Sequence, residues 1–199
     1  MTFSAQELKK IEQADALIFD MDGTLIDSMP LHYQAWSEVA KTYQLPFSKE
    51  RFYQLGGVPT YETLEILSRE ANVSIDIAQA KKLKESLYRS QLDKVVAIPQ
   101  TLEVVHRFHG HKPMAIATGS SKTGAERVLG HLGLLDLFAA VLTADDVENH
   151  KPAPDVFLKA ASALGIAPAQ CVAFEDTDIG LQAIELAGMI AIDVRLIVT

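Results

Sequence analysis

Short apolar runs recur along the chain at residues 16–19, 114–117, 140–142, 171–174 and 189–194. Each is too short for a stable helix and suits a strand buried on both faces. Between the later runs, apolar residues repeat with helical spacing over 124–132, 154–164 and 179–187. Gly133, Gly165 and Gly188 stand where those helices should stop, since glycine accepts the left-handed conformation of a helix end. Ser4-Ala5-Gln6-Glu7 has the form of a capping box and predicts a first helix reaching about Gln13. Strand alternating with helix predicts an α/β fold, a doubly wound parallel sheet covered on both faces.

The alternation breaks once, in the long interval between Asp20 and Thr118. Residues 99–108 suit a crossover helix. Residues 29–95 read as helices only: Ser28 before Pro30 opens one, with Leu31, Ala35, Val39 and Tyr43 on one face. Thr60 is placed to cap a second, and Ser74 a third that runs past Leu83 and Leu87. The expected organisation is an α/β core from 1–28 and 96–199 with a helical cap domain at 29–95. The insert leaves the sheet at the carboxyl end of the first strand, where open α/β sheets bind ligands, so it is placed to be a lid.

Composition narrows the partners. The chain has 199 residues, 48% of them hydrophobic, and a formal net charge of −8. That charge argues against a nucleic-acid partner. The single cysteine, Cys171, permits no intrachain disulfide and fits a reducing compartment. No basic-then-apolar leader and no bilayer-length apolar run is visible. A cytoplasmic protein without membrane partners, monomeric or weakly dimeric, is expected.

The polar residues directly after the predicted strands carry the chemistry. The first strand ends in Asp20 and Asp22, the second in Thr118-Gly119-Ser120, the fourth in Glu175-Asp176; Lys151 follows the third within HKPAPD. In a parallel sheet all of these gather along one edge. Clustered carboxylates need a counter-charge, and oxygen-only ligands suit Mg²⁺. Lys151 and the amides around Gly119 suit an anion. A hard cation beside an anion pocket is a phosphoryl-transfer layout, in which one carboxylate attacks phosphorus and another passes protons. An EF-hand counted from Asp20 fails, because Leu25 and Leu31 fall where glycine and glutamate are required. GSSKTG at 119–124 is followed by Ala125-Glu126 instead of the Lys-Ser/Thr of a phosphate-binding Walker loop. Each motif alone has an ordinary structural explanation, as a turn or a helix cap; their arrival at successive strand ends favours a site.

DMDGT, TGSS, KPAPD and EDTDIGLQAIELAG, in that order, resemble the four motifs of the haloacid dehalogenase-like hydrolase superfamily. DSMPLHYQAW resembles the start of the cap in its β-phosphoglucomutase-like branch, nearest the small bacterial phosphatases of fructose 1-phosphate. The resemblance spans about Asp15 to Leu196 and implies a Rossmann-like sheet of order 5-4-1-2-3. It implies Asp20 as nucleophile and Asp22 as general acid, then base. Mg²⁺ would be held by the Asp20 and Asp176 carboxylates and the Asp22 backbone carbonyl, with Glu175 supporting it. Thr118, Gly119, Ser120 and Lys151 would hold the phosphoryl group of a small phosphorylated sugar.

Lys84 and His32 match a lysine and a histidine of the mutase cap and are candidate substrate contacts. The mutases' phosphate-gripping arginine would fall at Thr60, a departure that favours a phosphatase over a phosphohexomutase. A receiver-like phosphoacceptor module fits less well, because receivers place the acidic pair before the phosphorylated aspartate and lack such a lid. His106, His109 and His111 read as a surface helix end, and Cys171 and Trp36 as packing residues.

Overall fold

A computed structural model describes residues 3–197. Residues 3–27 and 96–197 form one compact unit, and Ser28–Val95 forms a second.

The first unit holds a parallel sheet of β1 (Ala16–Phe19), β2 (Met114–Ala117), β3 (Ala140–Leu142), β4 (Cys171–Glu175) and β5 (Ile190–Asp193). Among the described residues the order is β3-β2-β1-β4-β5. This is the Rossmann-like arrangement that the resemblance implies. β1 is central, paired with β2 from Leu17 opposite Met114 and with β4 from Ala16 opposite Cys171. Every residue of β1, β2 and β4 is buried, which explains why these strands read as continuous apolar runs. The Phe19 and Phe174 rings stack at 4.5 Å on neighbouring strands. Val156, Phe157, Ala160 and Ala161 pack with Ile18, Ala115 and Ala173 in one core cluster.

Helix α1 (Ala5–Gln13) begins with the expected capping box between Ser4 and Glu7. Arg107 pairs with Glu12 at 2.6 Å, and Lys112 donates to the carbonyls of Glu12 and Ala14.

The second unit contains α2 (Met29–Tyr43), α3 (Lys49–Gln54), α4 (Thr60–Ala71) and α5 (Ile77–Arg89), around Trp36, Val39, Phe52, Leu64, Leu67 and Ala80. Two expected caps shift. Thr60 is the first residue of α4, whose cap position is Pro59, and α5 is capped by Asp76 rather than Ser74, its side chain accepting from Gln79 N–H at 2.9 Å. Asp76 carries a charge that complements the helix N-terminus, which a serine cannot supply. Helix α3, capped by Ser48, has too few turns to show a period. The first unit's remaining helices are α6 (Pro99–Phe108), α7 (Lys122–His131), α8 (Asp155–Leu164) and α9 (Asp178–Leu186). Gly133, Gly165 and Gly188 follow the last three with positive φ, as the helix ends require. Among the described residues no helix is long and apolar enough to cross a membrane.

Candidate active site

The carboxyl ends of β1 and β4 deliver Asp20, Glu175 and Asp176 to one place. A backbone bond from Asp20 N–H to the Phe174 carbonyl, 3.0 Å, continues the strand pairing into the site. Carboxylate oxygens of the three residues lie within 4.8 Å of one another. Lys151 enters between two of them: Nζ stands 2.7 Å from Asp20 Oδ1 and 2.7 Å from Glu175 Oε2. It is almost wholly buried, over the Phe157 ring at 4.8 Å.

Glu175 is gripped at its other oxygen. Oε1 accepts from Asp176 N–H (3.0 Å), Thr177 N–H (2.9 Å) and the Thr177 hydroxyl (2.8 Å). Thr177 also caps α9 by accepting from Gly180 N–H at 3.1 Å. Gly180 lies against the same carboxylate, where an added Cβ would come 2.1 Å from Glu175 Cδ. The glycine of the fourth motif is therefore needed for close approach.

After β1 the chain folds into a tight loop in which the Met21 carbonyl accepts from Leu25 N–H (2.9 Å) and Ile26 N–H (3.0 Å). Gly23, at φ 91°, faces Asp176: a Cβ there would sit 2.3 Å from Asp176 Oδ2. The Thr24 hydroxyl donates to Asp176 Oδ1 at 2.9 Å. The Asp22 carboxylate turns elsewhere, accepting from the Ser120 hydroxyl at 2.7 Å. Ser120 N–H in turn donates to Thr118 Oγ1 at 3.0 Å. The β2 loop is tied to the loop after β3 by Ala144 N–H on the Ser120 carbonyl (3.1 Å) and Lys122 N–H on Asp145 (2.8 Å).

Electrostatics follow from this packing. Burial first, then repulsion from Glu175, pushes the Asp20 carboxyl well above its ordinary range, against the pull of Lys151. Burial and Glu175 likewise push Asp176 up to about 7, opposed by the Thr24 hydroxyl and Lys151. For Lys151, burial favours the neutral amine, but Asp20 and Glu175 more than offset it and hold the ammonium. The donor set of Asp20, Glu175 and Asp176 is all oxygen and under-compensated in charge. It fits a hard divalent cation, and Lys151 already provides a positive partner between two of its members.

The sequence-predicted residues Asp20, Asp22, Thr118, Ser120, Lys151, Glu175 and Asp176 thus lie at neighbouring strand ends of the first unit, with Gly119 between Thr118 and Ser120. Lys84 and His32 belong to the helical unit. Lys84 Nζ is 3.0 Å from His32 Nδ1 and lies over the Trp36 and Tyr88 rings at 5.7 and 5.5 Å. His32 also stacks on Tyr88 at 3.9 Å. The sequence reading gave no individual role to Thr24, Thr177 or Gly180, although all three lie within the quoted motifs.

The family model of the haloacid dehalogenase-like hydrolases matches residues 14–188, the span that carries every strand-end group of this site. The chain belongs to this family. Like the phosphatases among its relatives, it is an enzyme, a phosphoric monoester hydrolase. This haloacid dehalogenase-like hydrolase is 44% identical over 187 residues to the fructose-1-phosphate phosphatase YqaB of Escherichia coli, covering 94% of this chain and 99% of the relative. It is 32% identical to the β-phosphoglucomutase of Bacillus subtilis, over 90% of this chain and 82% of that enzyme. A crystal structure of β-phosphoglucomutase from Clostridium difficile superposes with a TM-score of 0.83 at 26% identity, covering 90% and 84% of the two chains.

Proposed function

We propose that this enzyme is a Mg²⁺-dependent phosphatase of small sugar phosphates, of the fructose 1-phosphate type, working through an aspartyl-phosphate on Asp20. The observation that carries the reading is Lys151, buried and bonded to both Asp20 and Glu175 beside Asp176. Such a cluster serves the transfer of an anion near a cation. The near full-length likeness to a fructose-1-phosphate phosphatase supports the substrate class.

Asp20, held through one oxygen by Lys151, attacks phosphorus, and the bond from phosphorus to the sugar oxygen breaks. Asp22 gives its proton to that oxygen, then takes one from the water that cleaves the aspartyl-phosphate, releasing phosphate and restoring Asp20. Thr118, Gly119, Ser120 and Lys151 hold the phosphoryl oxygens. The Asp20 and Asp176 carboxylates and the Asp22 backbone carbonyl would hold Mg²⁺, with Glu175 in support. When bound, Mg²⁺ supplies charge neutralisation at the phosphoryl group. The helical unit Ser28–Val95 is proposed as the cap, with Lys84 and His32 as its substrate-binding residues.

The raised Asp176 carboxyl sets a pH dependence for the metal-free protein. A carboxylate whose pKa is higher folded than unfolded stabilises the fold at low pH, and the contribution is lost as pH rises from the ordinary value of 3.8 through about 7. Metal-free protein should therefore melt at a lower temperature at pH 8 than at pH 5. Mg²⁺ should raise the melting temperature more at pH 8, where no proton competes. Equal Mg²⁺ shifts at both pH values would contradict the metal assignment. Chelation should abolish turnover, with Ca²⁺ a poor replacement because it takes more oxygen ligands at longer distances than Mg²⁺.

The competing reading is a phosphohexomutase, which must grip a second phosphate far from the nucleophile. By the resemblance, the mutases' arginine would fall at Thr60, the first residue of α4. A neutral hydroxyl there forgoes about one charge-assisted contact, on the order of 1.5–3 kcal/mol. With β-glucose 1-phosphate, Mg²⁺ and a trace of bisphosphate, free phosphate should outpace glucose 6-phosphate. Glucose 6-phosphate appearing much the faster would establish the mutase instead.

A further inference from the structure

We propose that Thr101 is a positioning residue for the divalent-cation site, acting through Thr24 on Asp176; the inference rests on the reading of Asp176 as a metal ligand. Thr101 lies on α6, outside the strand-end motifs, and is fully buried. Its hydroxyl stands 2.7 Å from the Thr24 carbonyl and 3.2 Å from the Ile98 carbonyl in its own helix. One hydroxyl has one proton, and the shorter distance makes Thr24 the main acceptor. Thr24 is itself fully buried, and its own hydroxyl donates to Asp176 Oδ1 at 2.9 Å. The adjacent Gly23 approaches the same carboxylate so closely that a Cβ would meet it. The backbone at residues 23–24 is therefore a wall against which the Asp176 carboxylate is set, and Thr101 pins that wall from behind.

Removing the Thr101 hydroxyl takes a donor from a buried carbonyl and frees the loop to shift, carrying the Thr24 hydroxyl away from Asp176. The backbone bond from Ile98 N–H to the Leu25 carbonyl, 2.9 Å, does not involve the hydroxyl and still ties α6 to the loop. The effect should fall on cation affinity. Partners that orient a metal ligand commonly contribute about 10–100-fold to affinity, and Thr101 acts one bond further out, so about tenfold is expected.

The test is calorimetric titration of Mg²⁺ into substrate-free protein. Thr101→Val should weaken binding about tenfold, and Thr101→Ser, which keeps the hydroxyl, should bind like the natural protein. Thr101→Ala removes the same hydroxyl and gives the same reading if the valine variant does not fold. In a Thr24→Val background the Thr101 substitution should weaken binding no further, because the relay is already cut. Unchanged affinity in Thr101→Val or Thr101→Ala, or equal losses in the valine and serine variants, overturns the inference. Asp176→Asn separates this from failure of the metal reading. If it binds Mg²⁺ as well as the natural protein, or if the natural protein binds none, both readings fall. If it is impaired while Thr101→Val is not, only the role of Thr101 falls.

Discussion

Asp20→Asn should abolish phosphate release, by at least about 10⁴-fold, and leave no phosphoenzyme. The amide keeps the shape of the carboxylate but cannot attack phosphorus. It also ends the ion pair with Lys151, whose Nζ sits 2.7 Å from Asp20 Oδ1. The variant should nevertheless fold, because Lys151 retains Glu175 at 2.7 Å and the substitution removes one of the mutually repelling carboxylates. Rapid quench with a ³²P-labelled sugar phosphate, alongside a thermal melt, checks both halves. A labelled, acid-stable protein adduct in Asp20→Asn would move the nucleophile elsewhere. Beryllium fluoride should bind at the Asp20 carboxylate of the natural protein and not in the variant.

Asp22→Asn should fall nearly as far with a sugar phosphate, about 10²–10⁴-fold, because the leaving alkoxide loses its acid and the water loses its base. A phosphate ester with a good leaving group separates the two roles. p-Nitrophenolate needs little protonation, so Asp22→Asn should still form the aspartyl-phosphate from p-nitrophenyl phosphate and then stall. The readout is a burst of p-nitrophenolate close to one per enzyme, followed by slow turnover. Equal losses on both esters with no burst would remove Asp22 from proton transfer. In the structure its carboxylate is held by the Ser120 hydroxyl at 2.7 Å, so the asparagine keeps that partner and the comparison isolates the proton.

The strands were legible because both faces of a parallel sheet are covered. The runs at Ala16–Phe19, Met114–Ala117 and Ala140–Leu142 coincide with the structure residue for residue. Helix starts were less legible: Ser and Asp compete as caps within a few positions, so Ser74 gave way to Asp76, while Thr60 is the first helical residue after Pro59. The polar residues at the strand ends stood out against apolar surroundings, which made Asp20, Asp22, Thr118, Lys151, Glu175 and Asp176 readable as a group. What holds them was not readable. The Thr24 hydroxyl on Asp176 and the Thr101 hydroxyl on Thr24 join residues 152 and 77 positions apart. Threonine at such positions carries no periodicity and no charge to mark it.

The same separations have a consequence for how the protein is born. Lys151 lies 131 residues after Asp20 and 24 before Glu175. A chain emerging from the ribosome at about 5–20 residues per second carries Asp20 for on the order of ten seconds before the lysine exists. Once made, Lys151 waits a further interval for its second carboxylate, and Asp176 appears later still. Central strand β1 thus precedes the other four strands in synthesis yet acquires its β4 neighbour only after β2 and β3 have been made. Until then its β4-facing edge has no strand to pair with, the kind of unpaired edge that invites association with other chains. Premature termination before Cys171 leaves β1 without one of its two partner strands.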